Sequence, residues 1–495
     1  MINKKKIPIS IHIIILLFTS FIFSVSSNIT MLDDGLRHLA FASNEETMVS
    51  WGIVFPYSLF TSYDPWKNWH IFLRILLNFF NFDTLHIIIN MISLFFLMFL
   101  INLYIKKYIK YNFSSLIYII IFCIVYLTSF RYLMVRPDLL SGLYIMGALL
   151  LSNRFLPIFL LTIIYGPFYY LFFVYTGSIG LVYMVQKKWY AFIGVFFASI
   201  IVGCYFLLDD FTGYTQTVYN ILIDQKLRSG LEVGEGQALF SIFSNISYFI
   251  LLPIFLSVSG YLIYKYYNYF YKNSIALFLL ITSILWINQH RYFSLFMPLI
   301  IIYLLDIYFN INKKRAFYNI RKYLTIIKRY FNFSKNSKLF YMIAIPYTIF
   351  MLAFTLHTKY ISYQEALQEA EFFSNKIFDH KTILLNRLDT DIYKALYHNP
   401  TLHFIPSCSI GWFDNKDPNI KDIYIRMQKK GGITEEELKK LISYINADFY
   451  IHYLKNPKQV LNFEKLKKFG IIPQLIYHNR IIFKIDKQKV NKKYE

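Results

Sequence analysis

Charge is scarce in this chain and acid is scarcer. Only 16% of its 495 residues are Asp, Glu, Lys or Arg, with 29 acids against 51 bases, and so little charge excludes an ordinary water-soluble globule. Cysteine is nearly absent. Cys123, Cys204 and Cys408 cannot build a disulfide framework, and the first two, lying inside apolar runs, are expected to be buried small hydrophobes. The chain has no H-E-x-x-H motif, and its C-terminal part has neither G-x-G-x-x-G nor a Walker A signature, so nothing there argues for a nucleotide. No internal repeat stands out. The bias toward Phe, Ile, Tyr, Lys and Asn is compositional and points to an AT-rich bacterial genome.

What is abundant is apolar sequence: 56% of residues are hydrophobic, with 50 Phe and 43 Tyr. Runs of about 18 or more apolar residues can cross roughly 30 Å of hydrocarbon. Apolar spans, several of that length and some shorter, are read at 8–27, 84–105, 114–130, 139–152, 156–169, 171–186, 189–208, 239–264, 273–288, 292–309 and 339–357, eleven in all. The net charge of +22 would elsewhere suggest a nucleic-acid partner, but the bases sit between the apolar runs, so no nucleic acid is expected. With Lys4, Lys5 and Lys6 inside, the cytoplasmic segments carry Lys106, Lys107, Lys110, Arg154, Lys187, Lys188, Lys265 and Lys272, and 310–338 adds nine bases and no acid. The outer segments carry Asp33, Asp34, Glu45, Glu46 and Asp64, then Asp209, Asp210, Asp224, Glu232 and Glu235. The expectation is a mainly α, polytopic bundle with its N-terminus inside and C-terminus outside, in a bacterial inner membrane. Gly166, Pro167 and Gly177 interrupt 156–186, which reads as two short or broken spans. The first run is long and lacks a small-residue cleavage site, so a cleaved signal peptide is not expected.

The composition changes after 357, dividing the chain into a transmembrane domain, 1–357, and a small extracytoplasmic α/β domain, 358–495. Strands are expected at 381–388, 402–405, 447–454, 472–477 and 480–485, the last two joined at His478 and Asn479. Helices are expected at 391–398, at 434–445 behind a Thr434–Glu437 capping box, and at 462–469.

Chemistry concentrates in the outer segments. The first holds Met31-Leu32-Asp33-Asp34-Gly35-Leu36-Arg37-His38 and later Tyr63-Asp64-Pro65-Trp66-Lys67-Asn68-Trp69-His70. Adjacent carboxylates at a membrane surface can take a proton from a substrate hydroxyl or hold a divalent cation through oxygens alone, and equally can be solvated loop acids. His38 and His70 could join Asp33, Asp34 or Asp64 around a metal. Arg136-Pro137-Asp138 is either a structural pair or a continuation of the site. His290, Arg291 and Tyr292 precede a span containing Pro298; a guanidinium at that depth meets a phosphate or snorkels to headgroups. The segment 209–238, with Lys226, Arg228, Gly230, Gly234 and Gly236, is a lid or a connector.

In order and placement these motifs resemble the GT-C superfamily of integral-membrane glycosyltransferases, which use polyprenyl-phosphate sugars and include the protein O-mannosyltransferases and the aminoarabinose transferases of lipid A. The acidic pair is matched by Asp33 and Asp34, the later tryptophan and histidine stretch by Asp64 to His70, the R-P-acid element by Arg136-Pro137-Asp138, and the R-Y element by Arg291-Tyr292 and Pro298. Asp34 departs from the Glu found in several families. The resemblance implies inverting transfer. Asp33 or Asp34 would be the base, Asp138 would position the acceptor or help hold a cation, and Arg291 with Arg228 or Arg136 would stabilise the departing phosphate. Arg37, His38, Asp64, Trp66, His70, His290 and Tyr292 would contact substrate. The implied partners are a polyprenyl-phosphate-linked sugar, an acceptor lipid, glycan or protein, and membrane lipid. A divalent cation is the one cofactor these residues could accommodate. Two other readings compete: an O-antigen polymerase or ligase, which would not need the acidic pair, and a lipid-linked glycan transporter or flippase, which would show inverted repeats and mid-membrane charges.

Overall fold

The computed structural model describes residues 9–29, 34–43, 63–109, 135–151, 153–222, 248–283, 296–304, 306, 353, 371–373, 375–386, 399, 401–405, 417–428, 432–454, 462–477 and 480–491. Its N-terminal helices are α1 (Ile9–Ile29), α2 (Asp34–Ser43), α3 (Lys67–Leu77), α4 (Phe82–Tyr104), α5 (Asp138–Leu150), α6 (Phe155–Tyr165), α7 (Phe172–Val185), α8 (Trp189–Asp209), α9 (Phe211–Leu222), α10 (Tyr248–Lys265), α11 (Tyr267–Lys272) and α12 (Ser274–Ile281). The chain divides into two compact units. One comprises Met1–Met31, Leu76–Asp209 and Gly234–Tyr363; the other comprises Leu32–Ile75, Asp210–Val233 and Gln364–Glu495.

The first unit is helical. Among the described residues two helices are long and apolar enough to cross a membrane: Phe82–Tyr108, which joins α4 to a π-helical turn at Ile105–Ile109, and α8. At 27 residues the former reaches about 40 Å. Asn81 starts it by accepting the Thr84 N–H at 2.9 Å, and Asp83 in the first turn suits the helix dipole. Leu85, Ile89, Leu94, Leu97, Met98 and Ile101 form its buried stripe, which packs against α1 and α5.

On α8, Ala191, Val195, Ala198, Val202 and Phe206 recur every three or four residues and are buried, while Phe196, Phe197, Ile200, Ile201, Leu207 and Leu208 are exposed. Cys204 belongs to the exposed side. This corrects the expectation of a buried thiol, because the helical phase turns it away from the Val202 face. Cys123 and Cys408 lie outside the described residues.

α6 and α7 are 11 and 14 residues, about 16 and 21 Å, shorter than a membrane crossing. A 3₁₀ turn at Gly166–Phe168 ends the first of them. A Cβ at Gly166 would lie 2.7 Å from the Val202 side chain, so glycine is what lets this turn touch α8. The irregular backbone here is shielded by protein, with Tyr169, Tyr170 and Leu171 all buried. Gly177 is no break; it sits inside α7, where a glycine weakens a helix without ending it.

Tyrosines bind the short helices together. The Tyr144 and Tyr165 rings stack 4.4 Å apart, Ser141 Oγ lies 2.9 Å from the Tyr165 hydroxyl, and Tyr183 donates to the Ala148 carbonyl at 2.5 Å. One end of this unit collects the bases. Lys107 Nζ donates to the Leu150 carbonyl at 2.8 Å, satisfying an orphan carbonyl at the end of α5. At the end of α7, Gln186 Nε2 donates to the Phe270 carbonyl at 3.1 Å and Gln186 Oε1 accepts from Ser274 at 2.9 Å and from Lys188 at 2.6 Å. Asn273, which caps α12, donates to Asp306 at 2.7 Å.

In the second unit, β1 (Thr382–Leu385), β2 (His403–Ile405), β3 (Phe449–Tyr453), β4 (Ile471–Tyr477) and β5 (Arg480–Ile485) form one sheet in the order β2-β1-β3-β5-β4. β1 pairs in parallel with β2 and β3; β1 and β3 are mostly apolar and buried along almost their whole length, as covered parallel strands require. β3 with β5 and β5 with β4 are antiparallel. The helices described in this part include α13 (Pro418–Gln428), α14 (Glu435–Ile445), α15 (Phe463–Lys468) and α16 (Lys487–Asn491). Leu384, Tyr450, Ile481, Phe483 and Ile485 form one core with Tyr424, Met427, Leu438, Leu441, Ile442, Leu466 and Val490 from these helices. On the other face Phe378 packs edge-on against Phe449 at 5.1 Å. The Thr434–Glu437 capping box forms as expected, and Asn446 ends α14 in the left-handed region at φ 52°. α13 was not foreseen, although Ile420, Ile423, Tyr424 and Met427 recur at helical spacing and are all buried. The helix expected at 391–398 lies outside the described residues.

Candidate functional site

Asp64 directs the chain where α3 begins. Its Oδ1 accepts the Trp66 backbone N–H at 2.9 Å, and its carbonyl accepts that of Lys67 at 3.3 Å, a turn that Asp before Pro forms readily. The other oxygen, Oδ2, lies 2.5 Å from Nδ1 of His70 on the first turn of α3. His38, on α2, completes the chain: its Nδ1 is 2.8 Å from Nε2 of His70. Both imidazoles are 1% exposed. Phe41 stacks on His70 at 5.6 Å, and Trp66 meets the His38 ring edge-on at 5.4 Å. These apolar walls strengthen each charge and hydrogen bond between them.

The proton positions follow from the acceptor count. An ionised carboxylate only accepts, so His70 carries its proton on Nδ1. Its Nε2 then accepts the Nδ1–H of His38, leaving the His38 lone pair on Nε2. The arrangement lines up one carboxylate behind two hydrogen-bonded imidazoles. This is a base with a carboxylate behind it to orient and neutralise it.

His38, His70 and Asp64 converge, with both nitrogens of His70 and Nδ1 of His38 at hydrogen-bond distance from a neighbour, and among the described residues, which do not include Asp33, no group of three or more His, Cys, Asp or Glu could hold a metal ion.

The start of the 209–238 segment belongs to the same unit. Asp210 Oδ1 accepts the Gly213 N–H at 2.8 Å and so starts α9, a helix in a stretch expected to be loop. A Cβ on Gly213 would lie 2.8 Å from Cβ of Tyr63, the residue before Asp64, and the Tyr63 and Tyr214 rings are 6.3 Å apart. Tyr214 and Thr217, three residues apart on α9, are both buried.

Asp34 and Arg37 fall on α2, with Asp34 four residues before His38. In the first unit Arg136 is half-buried, Pro137 supplies a φ of −63° ahead of α5, and Asp138 is that helix's first residue, where the dipole favours an acid. Asp33, Arg228, His290, Arg291 and Tyr292 lie outside the described residues; Pro298 falls in helical residues 296–304. Sequence reasoning passed over Phe41, which stacks on His70, and Tyr63, which meets Tyr214. It also passed over His86 and Asn90, a buried pair one turn apart on α4 with Asn90 Nδ2 3.3 Å from His86 Nδ1. Two polar side chains four apart in an apolar run were the available signal.

Comparison with protein-family models, with curated proteins and with solved structures finds no match for this chain.

Proposed function

We propose that this chain is a polytopic membrane glycosyltransferase of the GT-C kind, moving a sugar from a polyprenyl phosphate to an acceptor hydroxyl at the outer face of a bacterial inner membrane. The observation that carries the reading is the Asp64–His70–His38 chain. It ties the Asp33-Asp34-Gly35-Leu36-Arg37-His38 stretch directly to the Asp64-to-His70 stretch, the two motifs of the first outer segment on which the resemblance rests.

In the reaction the acceptor oxygen attacks the anomeric carbon as the bond from that carbon to the phosphate oxygen breaks. The phosphate leaves with the electron pair, and the configuration inverts. The acceptor proton passes to Asp33 or Asp34. Asp34 and His38 are four residues apart on the same helix, α2. Arg291, with Arg228 or Arg136, neutralises the departing phosphate, and Asp138 positions the acceptor or helps hold a cation.

Three features support the membrane arrangement of about eleven spans with the N-terminus inside. Two helices have the length and apolar character to cross. The apolar face of α8 is exposed, as lipid contact demands. The ends of α4, α5 and α7, with Lys107 and Lys188, gather at one end of the helical unit, as the positive-inside rule requires of cytoplasmic turns. An outer position for the C-terminal domain is supported by its membership of one compact unit with Leu32–Ile75 and Asp210–Val233.

The test is incubation of the purified protein with a panel of radiolabelled polyprenyl-phosphate sugars, with and without EDTA, following release of polyprenyl phosphate. Turnover of one donor that is lost in Asp34→Asn supports the reading; failure of every donor counts against it.

A further inference from the structure

Two uncommon pieces of backbone place the bases at one end of the helical unit. α4 runs into the π-helical turn Ile105–Ile109, which carries Lys106 and Lys107, and such turns recur at functional sites. The three-residue turn from α7 to α8, Gln186 to Lys188, holds Lys187 in the left-handed region at φ 56°, which few residues other than glycine adopt. Both turns close on the last carbonyls of α5. Lys107 Nζ donates to that of Leu150 at 2.8 Å, the Tyr108 hydroxyl lies 3.5 Å from that of Leu149, and the Tyr183 hydroxyl donates to that of Ala148 at 2.5 Å. Lys188 Nζ stands 6.0 Å from the centroid of the same Tyr183 ring. Burial, and then the charge of Lys107, push the Lys188 ammonium down to about 8. Two like charges are thus brought together without an acid to offset them. Among the described residues neither lysine has a carboxylate partner, and Asp306, an acid at this end, accepts from Asn273. Each ammonium has three N–H groups and gives one to the protein, Lys188 to Gln186 Oε1 at 2.6 Å.

We infer that the ends of α4, α5 and α7 form a binding site for the phosphate of an anionic phospholipid, held by Lys107 and Lys188. Neighbouring ammonium groups, one of them half-buried, repel each other when alone and are stabilised around an anion. The carboxyl end of a helix ordinarily repels an anion, but here the Ala148, Leu149 and Leu150 carbonyls already face donors from the protein. The surroundings of the turn select a lipid over free phosphate. Trp189 and Tyr190, directly after Lys188, are exposed at 52% and 74%, as aromatic rings at the headgroup level are, and the exposed apolar side of α8 continues beyond them. Lys106, Lys187 and Arg154 are also exposed in these turns and add to the attraction for an anionic leaflet. Basic pockets between helices on the cytoplasmic side are where acidic headgroups bind. The inference rests on the membrane reading and its orientation, and not on the transfer reaction.

Full-length protein, extracted from membranes in neutral detergent, is offered phosphatidylglycerol, phosphatidylcholine or inorganic phosphate in separate titrations. Bound lipid is counted by native mass spectrometry, phosphate binding is followed by phosphorus NMR, and folding by thermal unfolding. Saturable binding of phosphatidylglycerol, preferred about twentyfold over phosphatidylcholine, supports the inference. Lys107→Gln and Lys188→Gln are each expected to weaken it about fivefold, and the double variant to lose the preference. Lys188→Arg keeps the charge and is expected to bind as the parent does. Lys265→Gln removes a base from the end of α10, outside the site, and is expected to change nothing. Equal binding of the two lipids, saturable binding of inorganic phosphate in place of lipid, a folded double variant that keeps the preference, or an equal loss in Lys265→Gln overturns the inference. A protein that needs detergent for extraction and shows no lipid preference overturns the inference alone; release from membranes by alkaline carbonate overturns the membrane reading with it.

Discussion

Nδ1 of His38 and Nε2 of His70 lie 2.8 Å apart, joining two residues separated by 32 positions in sequence. The bond aligns two imidazoles behind one carboxylate. Removing any member changes the proton inventory of the others.

Asp64→Asn keeps the turn at Trp66 and removes the negative charge behind His70. If the transferase reading holds, turnover of the productive donor falls about a hundredfold with little change in thermal stability. Asp64→Ala also strips the acceptors from Trp66 N–H and His70 and costs on the order of 2 kcal/mol of stability. Donor kinetics and thermal unfolding on the same preparations separate the two effects.

His452 supplies a pH dependence for the α/β part. Burial lowers its pKa from 6.5 to about 4. Between those values the unfolded chain binds more protons than the folded one, so stability is fully present above about pH 6.5 and drains away as the pH falls toward 4. The loss is on the order of 3 kcal/mol. Urea unfolding at pH 7 and pH 4.5 measures it, and a His452→Gln variant is expected to show a flatter profile.

Gly166 is held against Val202 with no room for a Cβ. Gly166→Ala is expected to destabilise the helical unit by about 1–3 kcal/mol, and Val202→Ala to recover part of the loss in the double variant. Additive losses in that cycle would mean the two positions do not share the constraint.

The start of α14 is reinforced twice. Thr434 and Glu437 cap each other, and Arg426 donates to Glu437 from both Nη1 and Nη2, which holds that carboxyl below its usual range. Thr434→Ala costs about 1 kcal/mol. Arg426→Lys is expected to cost less, because the pair is partly exposed, and to be the more salt-sensitive of the two in thermal unfolding.

Composition and capping made much of the C-terminal sheet legible, because Thr434 with Glu437, and the short β-rich runs at 447–454, 472–477 and 480–485, are local signals. The helices α2, α3 and α9 were not legible as helices. They lie in segments whose acids, glycines and prolines read as loop, and their apolar faces are short. At the candidate site, His38, Asp64, Trp66 and His70 were legible as residues of interest from composition alone. Their order of contact was not, since nothing in sequence tells a metal-binding trio from a hydrogen-bonded one. The difference lies in which ring nitrogens face one another. Cys204 shows the same limit: an apolar run says where the helix is, and only the phase of its neighbours says which side looks inward.

The second compact unit is stitched from Leu32–Ile75, Asp210–Val233 and Gln364–Glu495. A ribosome adding about 5–20 residues per second leaves the first of these pieces waiting on the order of half a minute for the last. During that interval the fragment holding the histidine chain exists without most of its eventual neighbours. Its own buried contacts, those of His38, Phe41, Trp66 and His70, must then hold it together until the tail is made, which gives these side chains a biosynthetic task as well as a chemical one.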